Sequence, residues 1–241
     1  MFKSLFRLGL IGIAAGAMTA GTAFAGPIQM FLTSGGQTTS VMIGSAGTPS
    51  SSSFTATLNG WTISGMTGTS YSPALNSFVG LDLGGYTATC VGVGGCSSDP
   101  LTVAISATGF TTPISTNGFL LEFSGNVHGG TATTSAYWDT ANTYFCNSAD
   151  TAALDCGSSN LIGSLTLNSA SKGLSIAGGP DTIRSYSVTI IDTFAAGLGS
   201  DPSYSVDTTV TAPEPGVLAL FGAGLLGVAL VIGRRRRARQ S

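Results

Sequence analysis

Through the middle of the chain, apolar and polar residues alternate with a period of two, in short runs separated by turn-forming residues. Phe54-Thr55-Ala56-Thr57-Leu58 and Trp61-Thr62-Ile63 flank Asn59-Gly60. That dipeptide is the strongest short hairpin signal, because it tolerates the two positive φ angles of a type I′ turn. A second such dipeptide, Asn117-Gly118, predicts a hairpin joining residues 114–116 to 119–123. Further same-phase positions are Leu101, Val103, Ile105 and Ala107; Leu161, Leu165 and Leu167; Tyr186, Val188 and Ile190; and Tyr204, Val206, Thr208 and Val210. Each set predicts a strand with one face turned inward. Residues 49–53, 94–100, 141–160 and 197–202 are rich in turn formers and read as loops. Long helical periodicity and a constant repeat length are both absent, which argues against a solenoid. The expected fold is all-β, an antiparallel β-sandwich of jelly-roll or immunoglobulin-like type, formed as one domain by residues 26–212.

The two ends break this alternation. Lys3 and Arg7 precede an apolar run over residues 8–20, and Ala23-Phe24-Ala25 stands before Gly26. Charge, short apolar core and small residues in that order predict a signal peptide over residues 1–25, cut between Ala25 and Gly26. An N-terminal membrane helix is the alternative. At the other end Pro213-Glu214-Pro215 is followed by an uncharged run over 217–233 and then by Arg234, Arg235, Arg236, Arg237 and Arg239. As a helix that run reaches about 26 Å, within the range that spans a bilayer. The Arg cluster then holds the C-terminus in the cytoplasm, and the signal peptide commits the intervening chain to the far side of the inner membrane. Both ends specify one topology.

Pro-Glu-Pro, a Gly-rich apolar helix and a terminal Arg cluster, in that order, resemble the PEP-CTERM sorting signal of Gram-negative bacteria. The resemblance covers residues 213–241. It implies export with the help of signal peptidase, transient anchoring in the inner membrane, and processing by exosortase near Pro213, Glu214 and Pro215. It further implies a final place in the cell envelope, on the outer surface or in an exopolysaccharide or biofilm matrix. A permanent membrane anchor is the alternative. Gly222, Gly224 and Gly227 spell G-x-G-x-x-G, but a dinucleotide site needs a preceding strand, a βαβ unit and a downstream acid, and only fourteen residues follow. Small residues there suit close helix packing in a membrane. The Arg run abuts an apolar span, so it reads as a topology determinant and not as a nucleic-acid patch.

Removing both ends changes the charge. Only Lys172 and Arg184 remain against ten acids, a net charge of −8 where the whole chain has −2. Such a domain disfavours phosphate, nucleic acid and anionic membrane. Four cysteines also remain, as the close pairs Cys90 with Cys96 and Cys146 with Cys156. An exported protein meets a disulfide-permissive compartment, and two local bridges are expected, although four cysteines allow three connectivities. Zinc is the rival, but the spacings and the single histidine fit poorly.

Catalytic signatures are few. His128 lies in Asn126-Val127-His128-Gly129-Gly130, expected as a loop beside the second hairpin, and no G-x-S-x-G elbow accompanies it. Asp150 and Asp155 fall in a segment that Cys146 and Cys156 would close, offering oxygen ligands to Ca²⁺ or simply an acidic surface loop. No other cofactor or metal is implied. Trp61, Tyr137-Trp138 and Tyr144-Phe145 read either as a sugar-stacking platform or as core and strand-pair residues. Thr55-Ala56-Thr57, Thr87-Ala88-Thr89 and Thr131-Ala132-Thr133 resemble pieces of the flat threonine ladders of ice-binding proteins, but separations of 32 and 44 residues give no regular ladder. The resulting expectation is a non-catalytic, exosortase-processed surface or matrix protein. A secreted glycan-binding or glycan-cleaving β-sandwich is the alternative.

Overall fold

The computed structural model describes residues 27–42, 53–71, 78–91, 96, 99–110, 118–147, 154, 156, 161–169, 171–177, 185–197 and 201–213. The expected signal peptide with Ala23, Ala25 and Gly26, the residues Asp150, Asp155, Glu214 and Pro215, the apolar run 217–233 and Arg234, Arg235, Arg236, Arg237 and Arg239 lie outside them. Among the described residues no helix is long and apolar enough to cross a membrane.

The described residues form two six-stranded sheets in which each pair of neighbouring strands is antiparallel. The strands are β1 (Ile28–Ser34), β2 (Gln37–Met42), β3 (Ser53–Leu58), β4 (Trp61–Tyr71), β5 (Phe78–Cys90) and β6 (Leu101–Phe110). They continue as β7 (Phe119–His128), β8 (Gly130–Asp139), β9 (Leu161–Leu167), β10 (Ser171–Ala177), β11 (Tyr186–Ala196) and β12 (Ser203–Pro213). A single 3₁₀ turn, Tyr144–Asn147, follows β8. The first sheet has the order β2-β1-β6-β11-β8-β9 and the second β10-β7-β12-β5-β4-β3. This is the expected antiparallel sandwich. Its six-on-six build is larger than an eight-stranded jelly roll or a seven- to nine-stranded immunoglobulin fold.

Alternation explains which faces meet. Leu101, Val103, Ile105 and Ala107 of β6 all enter the core between the sheets, as do Phe119, Leu121 and Phe123 of β7. Asn59 and Gly60 turn β3 into β4 with φ of 47° and 80°, as a type I′ turn requires. Residues 114–117 of the second expected hairpin lie outside the described residues. Its other arm, β7, pairs with β10 on one edge and β12 on the other. One expectation needs correction. In β9 the inward phase is not Leu161, Leu165 and Leu167 throughout. A bulge between the pairs Ala136/Gly163 and Tyr137/Leu161 inserts Ile162, which turns inward and leaves Leu161 exposed. One inserted residue reverses the faces on either side of it.

A second, smaller apolar cluster lies on the outer face of the first sheet. Phe145 covers Phe31, Ala104 and Ile191, with Cys156 beside them. Phe145 and Cys146 both adopt left-handed backbone, φ 50° and 60°. Such conformations cost about 1–3 kcal/mol per residue. Burial of the Phe145 ring, its amide donating to Ser106 Oγ at 3.2 Å, and the Cys146–Cys156 bridge offset that cost.

Candidate functional site

Hydrogen bonds between the sheets fix which strand ends share a pole. Asn59 Nδ2 donates to Ser34 Oγ at 3.4 Å and to Asp99 Oδ2 at 3.2 Å, and Trp61 Nε1 donates to the Asp99 carbonyl at 3.2 Å. The Cys90 amide donates to the Pro202 carbonyl at 3.1 Å. Gly129 alone carries the chain from the end of β7 in the second sheet to the start of β8 in the first. These contacts gather the ends of β1, β5 and β7 and the starts of β4, β6, β8 and β12 at one pole. The start of β1 and the end of β12 therefore emerge together at the opposite pole. Tyr144 marks that pole too, donating its hydroxyl to the Pro27 carbonyl at 2.9 Å.

Pro213, the first residue of the Pro-Glu-Pro motif, is the last residue of β12 and stands opposite Phe78. β12 is a central strand, flanked by β7 and β5, and its Val210 and Ala212 are buried. The sorting motif thus begins where a core strand ends, with no intervening linker.

The disulfides are Cys90–Cys96 and Cys146–Cys156, the two local pairings. The first packs at the far pole, where Gly60 lies against Cys96 Sγ and the Val91 amide donates to the Gly60 carbonyl at 3.1 Å. The second closes the cap over Phe31 and Ile191. Among the described residues no three His, Cys, Asp or Glu side chains group as a metal site.

His128 is the last residue of β7, exposed and opposite Ser203, where the sequence points to a loop. The turn is shorter than expected because Gly129, at φ 76°, makes it alone. The aromatic residues do not form one platform. Trp61 is fully buried and Trp138 packs against the main core, whereas Tyr137 and Tyr144 belong to the outer cap. Trp61 instead faces Tyr204, ring centroids 5.9 Å apart.

No motif in the sequence marks Asp192. It occupies the inward phase of β11 between Ile190 and Phe194, fully buried. Its Oδ2 accepts from Tyr86 Oη of β5 at 2.8 Å and from Thr208 Oγ1 of β12 at 2.9 Å, so one carboxylate ties both sheets together. Burial pushes its pKa up from 3.8 to about 6, against the opposing influence of the Tyr86 and Thr208 hydroxyls. Thr134 is the cross-strand partner of Asp192, but its hydroxyl completes no hydrogen bond to the acid. Burial, and then the neighbouring Asp192 charge, raise the Tyr86 phenol well above its ordinary value. Fully buried among the described residues, this acid holds β11 against β5 and β12.

The PEP-CTERM protein-sorting motif is matched over residues 211–237. The match begins at Thr211 and so includes the last three residues of β12. No curated protein matches the chain.

Proposed function

We propose that this chain is an exported, exosortase-processed structural protein of the cell envelope or extracellular matrix, without catalytic activity. The matched sorting motif carries the reading, and implies export and exosortase sorting. Its placement adds physical support. The motif leaves the sandwich at the pole that also holds the start of β1, so a signal peptide before Gly26 and a membrane span over 217–233 approach one side of the domain. The far pole, about 36 Å away along the eleven residues of β12, is then held off the membrane. Processing after Pro213 preserves every core residue of β12, whereas a cut before Val210 would remove two buried side chains from a central strand. In this proposal the Arg cluster sets the topology of the tail, cleavage falls after Ala25 and near Pro213, and the working domain runs through Pro213, the last residue of β12.

The test is deletion of residues 214–241, which leaves β12 whole. The truncated protein should be exported but mis-sorted, lost to periplasm or medium without normal surface retention. Unchanged location and an unchanged final mass after that deletion would contradict the proposal.

A further inference from the structure

Every strand of the first sheet contributes one threonine to a single row. Thr38 of β2 stands opposite Thr33 of β1, Thr33 opposite Thr102 of β6, and Thr102 opposite Thr193 of β11. Thr193 stands opposite Thr133 of β8, and Thr133 opposite Thr166 of β9. The row faces outward. Leu32, Val103, Phe194, Ala132 and Leu167, beside these threonines in sequence, enter the core, while the threonines keep part or all of their exposure. Strand spacing of about 4.8 Å makes the row about 24 Å long. The sequence could not show this, because the threonines come from six strands at irregular separations and only one belongs to a Thr-Ala-Thr segment.

Strand preference for threonine and cross-strand Thr pairs account for individual members, such as the 3.1 Å contact between the Thr133 and Thr166 hydroxyls. They do not require one unbroken row that includes both edge strands. The row lies along the foot of the disulfide-closed cap. The neighbouring row, Ser40, Phe31, Ala104, Ile191, Ser135 and Ser164, has its centre sealed by Phe145. Neither row carries a charged side chain.

We propose that the threonine row binds a neutral polysaccharide laid across the strands, an inference that rests on the matrix reading above. Four observations select this partner. Hydroxyls donate and accept, matching sugar hydroxyls in both directions, and one already bonded to a neighbour retains further capacity. The methyl groups between them offer apolar contact to the C–H faces of sugar rings. The row runs from one edge strand, β2, to the other, β9, so a polymer laid along it crosses the whole sheet. A row without charge on a domain of net charge −8 selects against anionic chains.

The test is co-sedimentation of the protein recovered from its native host with microcrystalline cellulose and with particulate β-1,3-glucan, and affinity electrophoresis in anionic alginate. Wild type should sediment with the neutral glucans and run unretarded in alginate. Thr102→Val with Thr193→Val, which keeps shape and strand preference, should weaken retention about tenfold, two lost hydrogen bonds at about 1 kcal/mol or less each. Thr62→Val with Thr89→Val, on the outer face of the second sheet, should retain wild-type binding, and melting curves check that both variants fold. Failure of wild type to bind either glucan, equal binding by the Thr102/Thr193 variant, or preferential binding to alginate would overturn the inference. Inhibition of ice recrystallisation, lost in the same variant without glucan binding, would overturn it in favour of ordered water. Terminal mapping separates the two readings. Normal termini and surface location without glucan binding sink this inference alone, whereas a retained C-terminal tail sinks the sorting proposal whatever the binding shows.

Discussion

Asp192→Asn isolates the buried carboxylate that joins the two sheets. In the folded protein burial holds the acid near pH 6, and in the unfolded chain it returns to 3.8. The folded state therefore binds the proton more tightly. Its contribution to stability is fully present below about pH 3.8 and is lost as pH rises through about 6. At about 1.4 kcal/mol per pH unit, that gap is worth about 3 kcal/mol. Asn is neutral at every pH and keeps an oxygen to accept from Tyr86 and Thr208, which donate to Oδ2 in the wild type. The variant should exceed wild type in stability at pH 7.5 by up to about 3 kcal/mol, and the difference should vanish near pH 4. For a domain of this size it corresponds to about 6–12 °C in Tm. Urea denaturation of both proteins from pH 4 to 8, disulfides intact, measures the difference directly and cancels the titration of the other acids. A difference that is constant with pH, or that grows on acidification, would refute the reasoning. Tyr86→Phe adds a check on the same geometry. Losing one donor to a buried charge should cost about 1–3 kcal/mol at pH 7.5 and less at pH 4.

Trp61→Ala removes a fully buried indole and the donor to the Asp99 carbonyl, so it should cost about 3–5 kcal/mol by chemical denaturation. It should leave glycan retention of the folded fraction unchanged, because Trp61 faces the core. Replacing Cys146 and Cys156 together by Ser should cost about 2–3 kcal/mol and expose the cap residues Phe145 and Ile191 to hydrogen exchange, while the main sandwich stays protected. Equal loss of protection throughout the domain would show that the cap and the main core unfold as one unit.

Most of the architecture was legible because alternation decides which face a strand buries. β6, β11 and β12 follow their apolar phase, and Asn59-Gly60 turns where its backbone freedom predicts. What was not legible has local causes. The partners of β7 are a tertiary outcome, since both its edges go to strands distant in sequence. Conversely, Gly35-Gly36 turns β1 into β2 with φ of 54° and 74°, a hairpin that its glycine pair could have announced. The bulge at Ile162 is invisible to a period-two count. Asp192 hid for a different reason, since an acid in the inward phase reads as an exception until Tyr86 and Thr208 arrive from the other sheet. The threonine row is set by register, which pairs residues as far apart as Thr33 and Thr102, and no local pattern records it. The sorting tail was legible in full as sequence because its three parts are contiguous.

The central claim is that both ends are removed and the sandwich alone is the working protein. Intact mass with terminal peptide mapping, on protein recovered separately from membrane, periplasm and medium of its native host, tests it most directly. The account predicts a species beginning at Gly26 and ending between Pro213 and Pro215, with β12 complete. A membrane-held species that retains Arg234 to Ser241 would contradict it, and would make this a permanently anchored envelope protein.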